Sequence, residues 1–591
     1  MICEGMASLS PAPLLLIQNV TARKTQSLNG EFSYIIDPYE NGYYDYRREP
    51  HRVEGYFQNK KPSNESERVE YDFDASDTLA VPGDWNTQRA GLFWYEGTIW
   101  YKRDFEYSLA AGRRAFVRVG AANYDAKLWL NGQFIGEHVG GFTPFDREVT
   151  SLLRPSNNFL VLKVDNSRRR EGVPTSNTDW WNYGGLTRDV LLVEVPESFV
   201  LDYGLALEKG SRDLVSGYVR VDPALPGRKV SVTLPEANVA VTAETDAAGV
   251  ARFELRAELE LWSPARPRLY DVEVRSGEDC VRDRIGFRSL TTRGSEILLN
   301  GEPVFLRGIS LHEQAPQRDG RVRDEQEAKL LFDWVEELGC NFVRLAHYPH
   351  DERMARLADE RGLLLWAEIP VYWTIDWQNE ATLANAKQQL GELITRDKNR
   401  ASVIIWSVGN ETPNSAPRMN FMRALVDCAR SLDQSRLLSA ALERREDAEL
   451  NQIIDDPLGE LLDVLGCNEY LGWYDGLPDK TDRVNWINAY DKPLIVSEFG
   501  ADALAGYHGG ALTRWTEEYQ ESVYRHQLAM LERIASLRGL TPWILNDFRS
   551  PRRPLPKIQD FWNRKGLVSS EGKKKLAFYV LQDFYRRRAA R

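Results

Sequence analysis

Cysteine is scarce in this chain, five in 591 residues, at Cys3, Cys280, Cys340, Cys428 and Cys467. The number is odd, the spacing wide, and no CxxC pair occurs. That excludes a disulfide framework and a cysteine zinc site, and predicts free, mostly buried thiols. Long apolar runs are missing as well. The longest near the start, PLLLI at 13–17, falls far short of the roughly 20 residues that cross a bilayer, so no membrane partner is expected. The opening MICEGMASLS lacks the basic stretch of a secretory signal. This leaves a cytoplasmic protein, or a periplasmic or secreted one whose signal has been removed. Positive charge is in deficit: 75 Lys and Arg stand against 87 Asp and Glu, a formal net charge of −12. The balance argues against nucleic-acid partners and anionic membranes, and any anionic ligand must find a local basic pocket. No internal repeat or low-complexity segment occurs. Nor is there a Gly-rich phosphate loop, a Ser-His-Asp nucleophile elbow or a cluster of metal ligands, so neither metal nor cofactor is expected.

What is present is a globular composition with 42% hydrophobic residues, 11% aromatics and 17 Trp. The length suits about three domains. After an N-terminal extension over 1–27, residues 28–196 carry short β-runs split by turn residues, among them GTIWYKRDFEY, RRAFVRVG and NFLVLKVDN. Within AKLWLNGQFIGEH, Asn131-Gly132 between apolar runs predicts a two-residue hairpin. The spacing reads as a jelly-roll β-sandwich. Residues 197–290 repeat the β texture over a shorter span (SGYVRVD, KVSVTL, GVARFELRAE, LYDVEVRS), which fits an immunoglobulin-like sandwich. From 291 to 591 apolar runs alternate with helical patterns, beginning with VFLRGISL and ending with LTPWILNDF at 540–548. Eight strand-like runs in that alternation predict a (β/α)8 barrel, whose chemistry lies where the strands end.

Two carboxylates stand out on that logic. VIIWSVGNE ends in Asn410-Glu411, and PLIVSEFG carries Glu498 directly after its apolar run. Two carboxyls from different strands at one barrel mouth is the arrangement that glycoside hydrolysis needs. Barrel tops often carry acids, however, and Glu313, Glu368 and Glu469 follow strand-like runs too. Spacing alone leaves the choice open. A last motif, WNRKGL at 562–567, sets Asn563 and Lys565 two residues apart after a run of Arg and Pro. Alone, Lys565 reads as a solvated surface lysine; after the eighth strand and beside an amide it becomes a candidate anion clamp.

Asn410-Glu411 after a Trp-Ser-Val-Gly strand, SEFG at 497–500 and the order of the three domains resemble glycoside hydrolase family 2. YEGTIWYKR at 95–103, WLNGQFIGEHVGGFTPF at 129–145 and LWSPARPRLY at 261–270 add to the likeness. Within the family, the β-glucuronidase branch is the nearer match. RLAHYPHDERM at 344–354, CNEYLGWYDG at 467–476, DWWNYGGLTRDV at 179–190 and SEFGADALAGYHGGALTRWTEEYQ at 497–520 resemble segments of that branch. The resemblance implies an exo-acting enzyme that retains anomeric configuration, with Glu411 as acid/base, Glu498 as nucleophile and Asn410 on the sugar's 2-hydroxyl. It also implies that Asn563-x-Lys565 holds the carboxylate of a uronic acid, the substrate being a β-uronide glycoside or oligosaccharide. The 179–190 loop would reach the barrel mouth.

Retention needs carboxyls about 5–5.5 Å apart, an acid/base with a raised pKa and an ionised, immobilised nucleophile. Tyr470 or Tyr474 is the candidate to fix Glu498 through its hydroxyl, with barrel-mouth packing as the plainer role for both. Trp543 reads as a sugar platform or core, His347 as a site or structural histidine, and Asp179 as substrate-binding or internal to the sandwich. The chain departs from the branch at Gln559, where an Arg is expected four residues before the motif's Asn; Arg549, Arg552 and Arg553 are candidates to stand in for it. A β-galacturonidase carries the same carboxylate, a β-galactosidase would leave the clamp incidental, and a non-catalytic carbohydrate-binding protein is the reading from another class. Family analogy implies a homo-oligomer, dimer or tetramer.

Overall fold

A computed structural model describes residues 15–50, 63–67 and 71–590. Cys3 and the opening MICEGMASLS lie outside the described residues; Cys280, Cys340, Cys428 and Cys467 are free thiols. No helix among the described residues is long and apolar enough to cross a membrane.

The first unit is two packed antiparallel sheets. Six strands run in the order Thr78–Val81, Gly30–Ile36, Thr98–Phe105, Asn158–Asp165, Asp125–Leu130 and Gln133–Val139. They face a four-stranded sheet built on Arg113–Val119 and Val190–Pro196. Between them lies a core of Phe32, Ile99, Tyr101, Val117, Leu128 and Leu162. The Asn131-Gly132 hairpin forms as expected: Leu130 pairs with Gln133, and both loop residues take positive φ, 52° and 84°. Asn and Gly are the residues that tolerate this conformation.

The second unit packs three strands (Phe199–Leu207, Leu214–Asp222, Val250–Arg256) on four, among them Tyr270–Ser276 and Asp279–Ile285. In Val250–Arg256 and Asp279–Ile285 buried and exposed positions alternate, as one-sided sheets require.

The third unit is a closed eight-stranded parallel barrel. Its strands are Leu306–Leu311, Phe342–Leu345, Leu364–Glu368, Val403–Asn410, Leu437–Leu442, Leu465–Asn468, Leu494–Glu498 and Leu537–Leu540. Val403–Asn410 is buried at every position, because helices cover one side and the barrel interior the other. The last strand lies earlier than LTPWILNDF suggests. It occupies Leu537–Leu540 and closes on the first strand through Leu306 and Gly539. A Cβ at Gly539 would stand 2.7 Å from that of Leu306, so closure needs the glycine. Pro542, which has no N–H for a ladder, follows after Thr541, and Trp543 therefore sits on the loop beyond the strand.

Two contacts bring the first unit onto the barrel mouth. The Trp181 N–H donates to the Arg549 carbonyl at 3.0 Å, and the Tyr183 hydroxyl donates to Gln314 at 3.1 Å. The segment around 179–183 thus closes one side of the opening.

Candidate active site

Glu498 ends the seventh barrel strand and is 5% exposed. One carboxylate oxygen accepts from Arg344 Nη1 at 2.8 Å and the other from the Tyr470 hydroxyl at 2.7 Å. Of the two tyrosines that could fix this carboxylate, Tyr470 does so. Tyr474 instead accepts a hydrogen bond from Lys565 at 2.9 Å and is 58% exposed.

Arg344 lies within the second strand with no solvent exposure. Its guanidinium also donates to Glu368 at 3.1 and 3.0 Å and to Asn410 Oδ1 at 2.7 Å. One planar cation thereby ties together the ends of the second, third, fourth and seventh strands. Burial works against the Glu368 charge, but Arg344 outweighs it and holds the carboxyl down at about 2. Burial also drives His347 down to about 4 despite Glu368, so its ring is neutral at pH 7. Its Nδ1 lies 2.9 Å from Glu368, and its ring stacks on Trp543 at 4.7 Å. Trp543 is buried among aromatic residues of the mouth, with Phe548 and His312 on its other contacts.

Asn410 Oδ1 accepts from Arg344 and from Asn468 Nδ2, the latter at 3.2 Å. Two donors on the oxygen turn the Nδ2 group away, and this buried amide has no protein partner among the described residues. A donor placed so suits a ligand hydroxyl. Glu411 follows at φ 47°, and its N–H donates to the Ala441 carbonyl at 2.8 Å. Its carboxylate accepts from the Trp373 indole N–H at 2.8 Å.

Burial drives Glu498 up to about 8 against the pull of Arg344, and the Glu411 charge adds to the rise while the Tyr470 hydrogen bond opposes it. Glu411 is only partly buried, whereas Glu498 sits deep in the mouth. Below about pH 8 the ligand-free Glu498 carboxyl is thus held in its protonated form.

A second cluster lies beside the first. Lys565 is 1% exposed, and its amine donates to Asp502 at 2.8 Å as well as to Tyr474. It is no solvated surface lysine. Burial disfavours the ammonium, but Asp502 outweighs burial and leaves the pKa above its ordinary value. The Lys565 N–H donates to Asn563 Oδ1 at 3.2 Å, and Asn563 Nδ2 donates at 3.3 Å to Asp179 from the first unit. Asp179 also accepts from Ser550 at 2.6 Å and pairs with Arg553.

Arg344, Trp373 and Asp502 hold this site together without having been assigned roles in the sequence, and Arg553, one of three arginines considered there, joins them. An arginine inside an otherwise apolar strand was a usable signal for Arg344. Asp502, four residues past Glu498, and Trp373, in the loop after the third strand, had none beyond their place at the mouth.

Residues 290–588 match the family profile "Glycosyl hydrolases family 2, TIM barrel domain", and residues 26–196 match "Glycosyl hydrolases family 2, sugar binding domain". The chain is 28% identical over 562 residues to a protein named beta-glucuronidase from Paenibacillus borealis, covering 85% of this chain and 90% of that one. Among solved structures, it resembles the beta-glucuronidase from an uncultured Clostridium species at TM-score 0.81 and 25% identity, covering 97% and 99% of the two chains. It also resembles the Ruminococcus gnavus enzyme in complex with D-glucuronic acid at TM-score 0.80 and 26% identity, with coverage of 97% and 99%.

Proposed function

Since the chain belongs to glycosyl hydrolase family 2 and is a glycosidase, we propose that it is a retaining exo-β-glucuronidase, releasing terminal β-D-glucuronic acid from glycosides or oligosaccharides. The observation that carries the substrate assignment is the buried Lys565 amine beside Asn563, in a pocket wall next to the nucleophile's strand. The names of the similar proteins support the same reading.

In the reaction, Glu498 attacks the anomeric carbon as the bond to the leaving oxygen breaks, and the Glu411 carboxyl gives its proton to that oxygen. A glycosyl ester on Glu498 results. Water then attacks the same carbon, its proton passes to Glu411, and the ester bond to Glu498 breaks. The first step therefore needs Glu498 ionised and Glu411 carrying the proton. Arg344 and Tyr470 both donate to Glu498 and so favour its charged form. Trp373 holds Glu411, and the uncommitted amide of Asn410 donates to the 2-hydroxyl, a bond that strengthens toward the transition state. Trp543 offers an apolar surface to the sugar, and Asp179, His347 and Tyr474 complete the wall.

Lys565 supplies a charge-assisted hydrogen bond to the C6 carboxylate, contributing roughly 1.5–3 kcal/mol. A galacturonide presents the same group, so the test compares three substrates: the 4-nitrophenyl β-glucuronide, β-galacturonide and β-galactoside. Wild type is expected to favour the glucuronide by orders of magnitude in kcat/KM, with Lys565→Ala erasing the preference over the galactoside. A galactoside preference that survives Lys565→Ala would show the clamp to be incidental.

A further inference from the structure

Gln559 is buried and accepts from the Leu555 N–H at 3.4 Å, turned into its own loop instead of toward Lys565. The three arginines of the preceding loop have separate destinations. Arg549 pairs with Asp319 at 2.8 Å and lies 4.2 Å over the Trp562 ring. Arg552 donates to Asn177 at 2.5 Å and covers Trp373 at 4.8 Å, on the side of Glu411. Arg553 alone reaches the wall shared by Asp179, Asn563 and Lys565.

Its side chain is 19% exposed, against 11% for its partner Asp179. Nε and Nη2 both serve Asp179, and Nη1 is uncommitted among the described residues. Opposite it, the ammonium of Lys565 directs two of its three N–H bonds to Asp502 and Tyr474. The Tyr474 hydroxyl accepts from Lys565 and keeps its own proton to donate. Unfilled donors thus remain on two cations and a hydroxyl that act electrostatically on one another. The charges agree with this: each cation has one internal anion, Asp502 for Lys565 and Asp179 for Arg553. A substrate carboxylate entering beside Asp179 without Arg553 would face the uncompensated like charge of Asp179. The buried Tyr372 hydroxyl feels Asp179, Glu411, Glu498 and Arg553 together, which places this cation within electrostatic reach of the reacting groups.

We infer that Arg553 is the second cation of the carboxylate pocket, binding the uronate through Nη1 opposite Lys565 and fixing specificity for acidic sugars. The inference rests on the uronide reading above. A guanidinium with two donors on one carboxylate and another aimed at a second can hold both planar groups in register, which an ammonium cannot.

The test is the ratio of kcat/KM for 4-nitrophenyl β-glucuronide to that for the neutral 4-nitrophenyl β-glucoside, measured in wild type, Arg553→Ala, Arg553→Lys, Lys565→Ala and the double variant Asp179→Asn with Arg553→Ala. Arg553→Ala is expected to lower the ratio about 10- to 100-fold, through KM for the uronide. Arg553→Lys should recover part of it, and the double variant should not restore it. Recovery in the double variant would show that Arg553 only neutralises Asp179, and overturns the inference. An unchanged ratio in Arg553→Ala, whether both rates fall together or neither falls, overturns it too. If Lys565→Ala alone collapses the ratio, the uronide reading stands without Arg553; if neither variant changes it, that reading falls as well.

Discussion

Glu498 accepts two hydrogen bonds of different kinds, one from a fixed guanidinium and one from a phenol. The phenol can be removed without disturbing the ion pair. In the proposed reaction Glu498 attacks as a carboxylate, so activity climbs as pH passes its pKa, and a donor that favours the charged form lowers that pKa. Tyr470→Phe is therefore expected to move the acid limb of the kcat/KM profile to higher pH by about half a unit to one unit, and to lower kcat roughly 10- to 100-fold. An acid limb at its wild-type pH would show that the hydroxyl does not bear on the nucleophile. Strand ends pointed to Glu411, Glu498 and Asn410 at the mouth, but equally to Glu313, Glu368 and Glu469, and only the family resemblance singled out the pair. Arg344 was not legible there, because its meaning lies in four strand ends that only the closed barrel brings together.

Loops and turns differ in how much of themselves they encode. The Asn131-Gly132 turn is written in two residues, since its positive φ angles select them locally. The eighth strand was misjudged because TPWIL is as apolar as the strand before it, and closure against Leu306 depends on Gly539, a long-range fit. The loop at 549–557 is harder still. Its basic run reads as solvated, yet Asp179 holds Ser550 and Arg553 from a domain far away in sequence. Asp179→Ala removes that anchor. It is expected to speed tryptic cleavage within 549–553 several-fold, with KM for the uronide rising as the wall loosens. Cleavage at the wild-type rate would mean that the loop is held by its own contacts, such as Arg549 with Asp319.

At the scale of the whole molecule, buried charge sets how stability depends on pH. Glu469, after the sixth strand, accepts from the Leu471 N–H at 2.8 Å and from Gln527 at 3.1 Å, and burial pushes its carboxyl up to about 7. Its unfolded value is about 4.3. The folded chain thus holds this proton more tightly, and the side chain lowers stability progressively as pH rises from about 4.3 through 7. Glu469→Gln should leave the melting temperature unchanged near pH 4.5 and raise it at pH 8, by roughly 1–3 kcal/mol of stability. A difference that does not grow with pH would refute the assignment. The three-unit order was readable because strand, turn and helix textures change sharply along the chain, whereas the contacts joining the units were not, since they link single residues across hundreds of positions. One such contact has a temporal consequence. Asp179 and Arg553 stand 374 residues apart, so at ribosomal speeds of 5–20 residues per second the first waits about 20 to 75 s for the second to be synthesised. Throughout that interval Trp181 can already pack on Phe93 and Trp94 of its own sandwich, whereas Trp180 awaits ring partners that all belong to the barrel: His312, His347, Tyr348 and Tyr372.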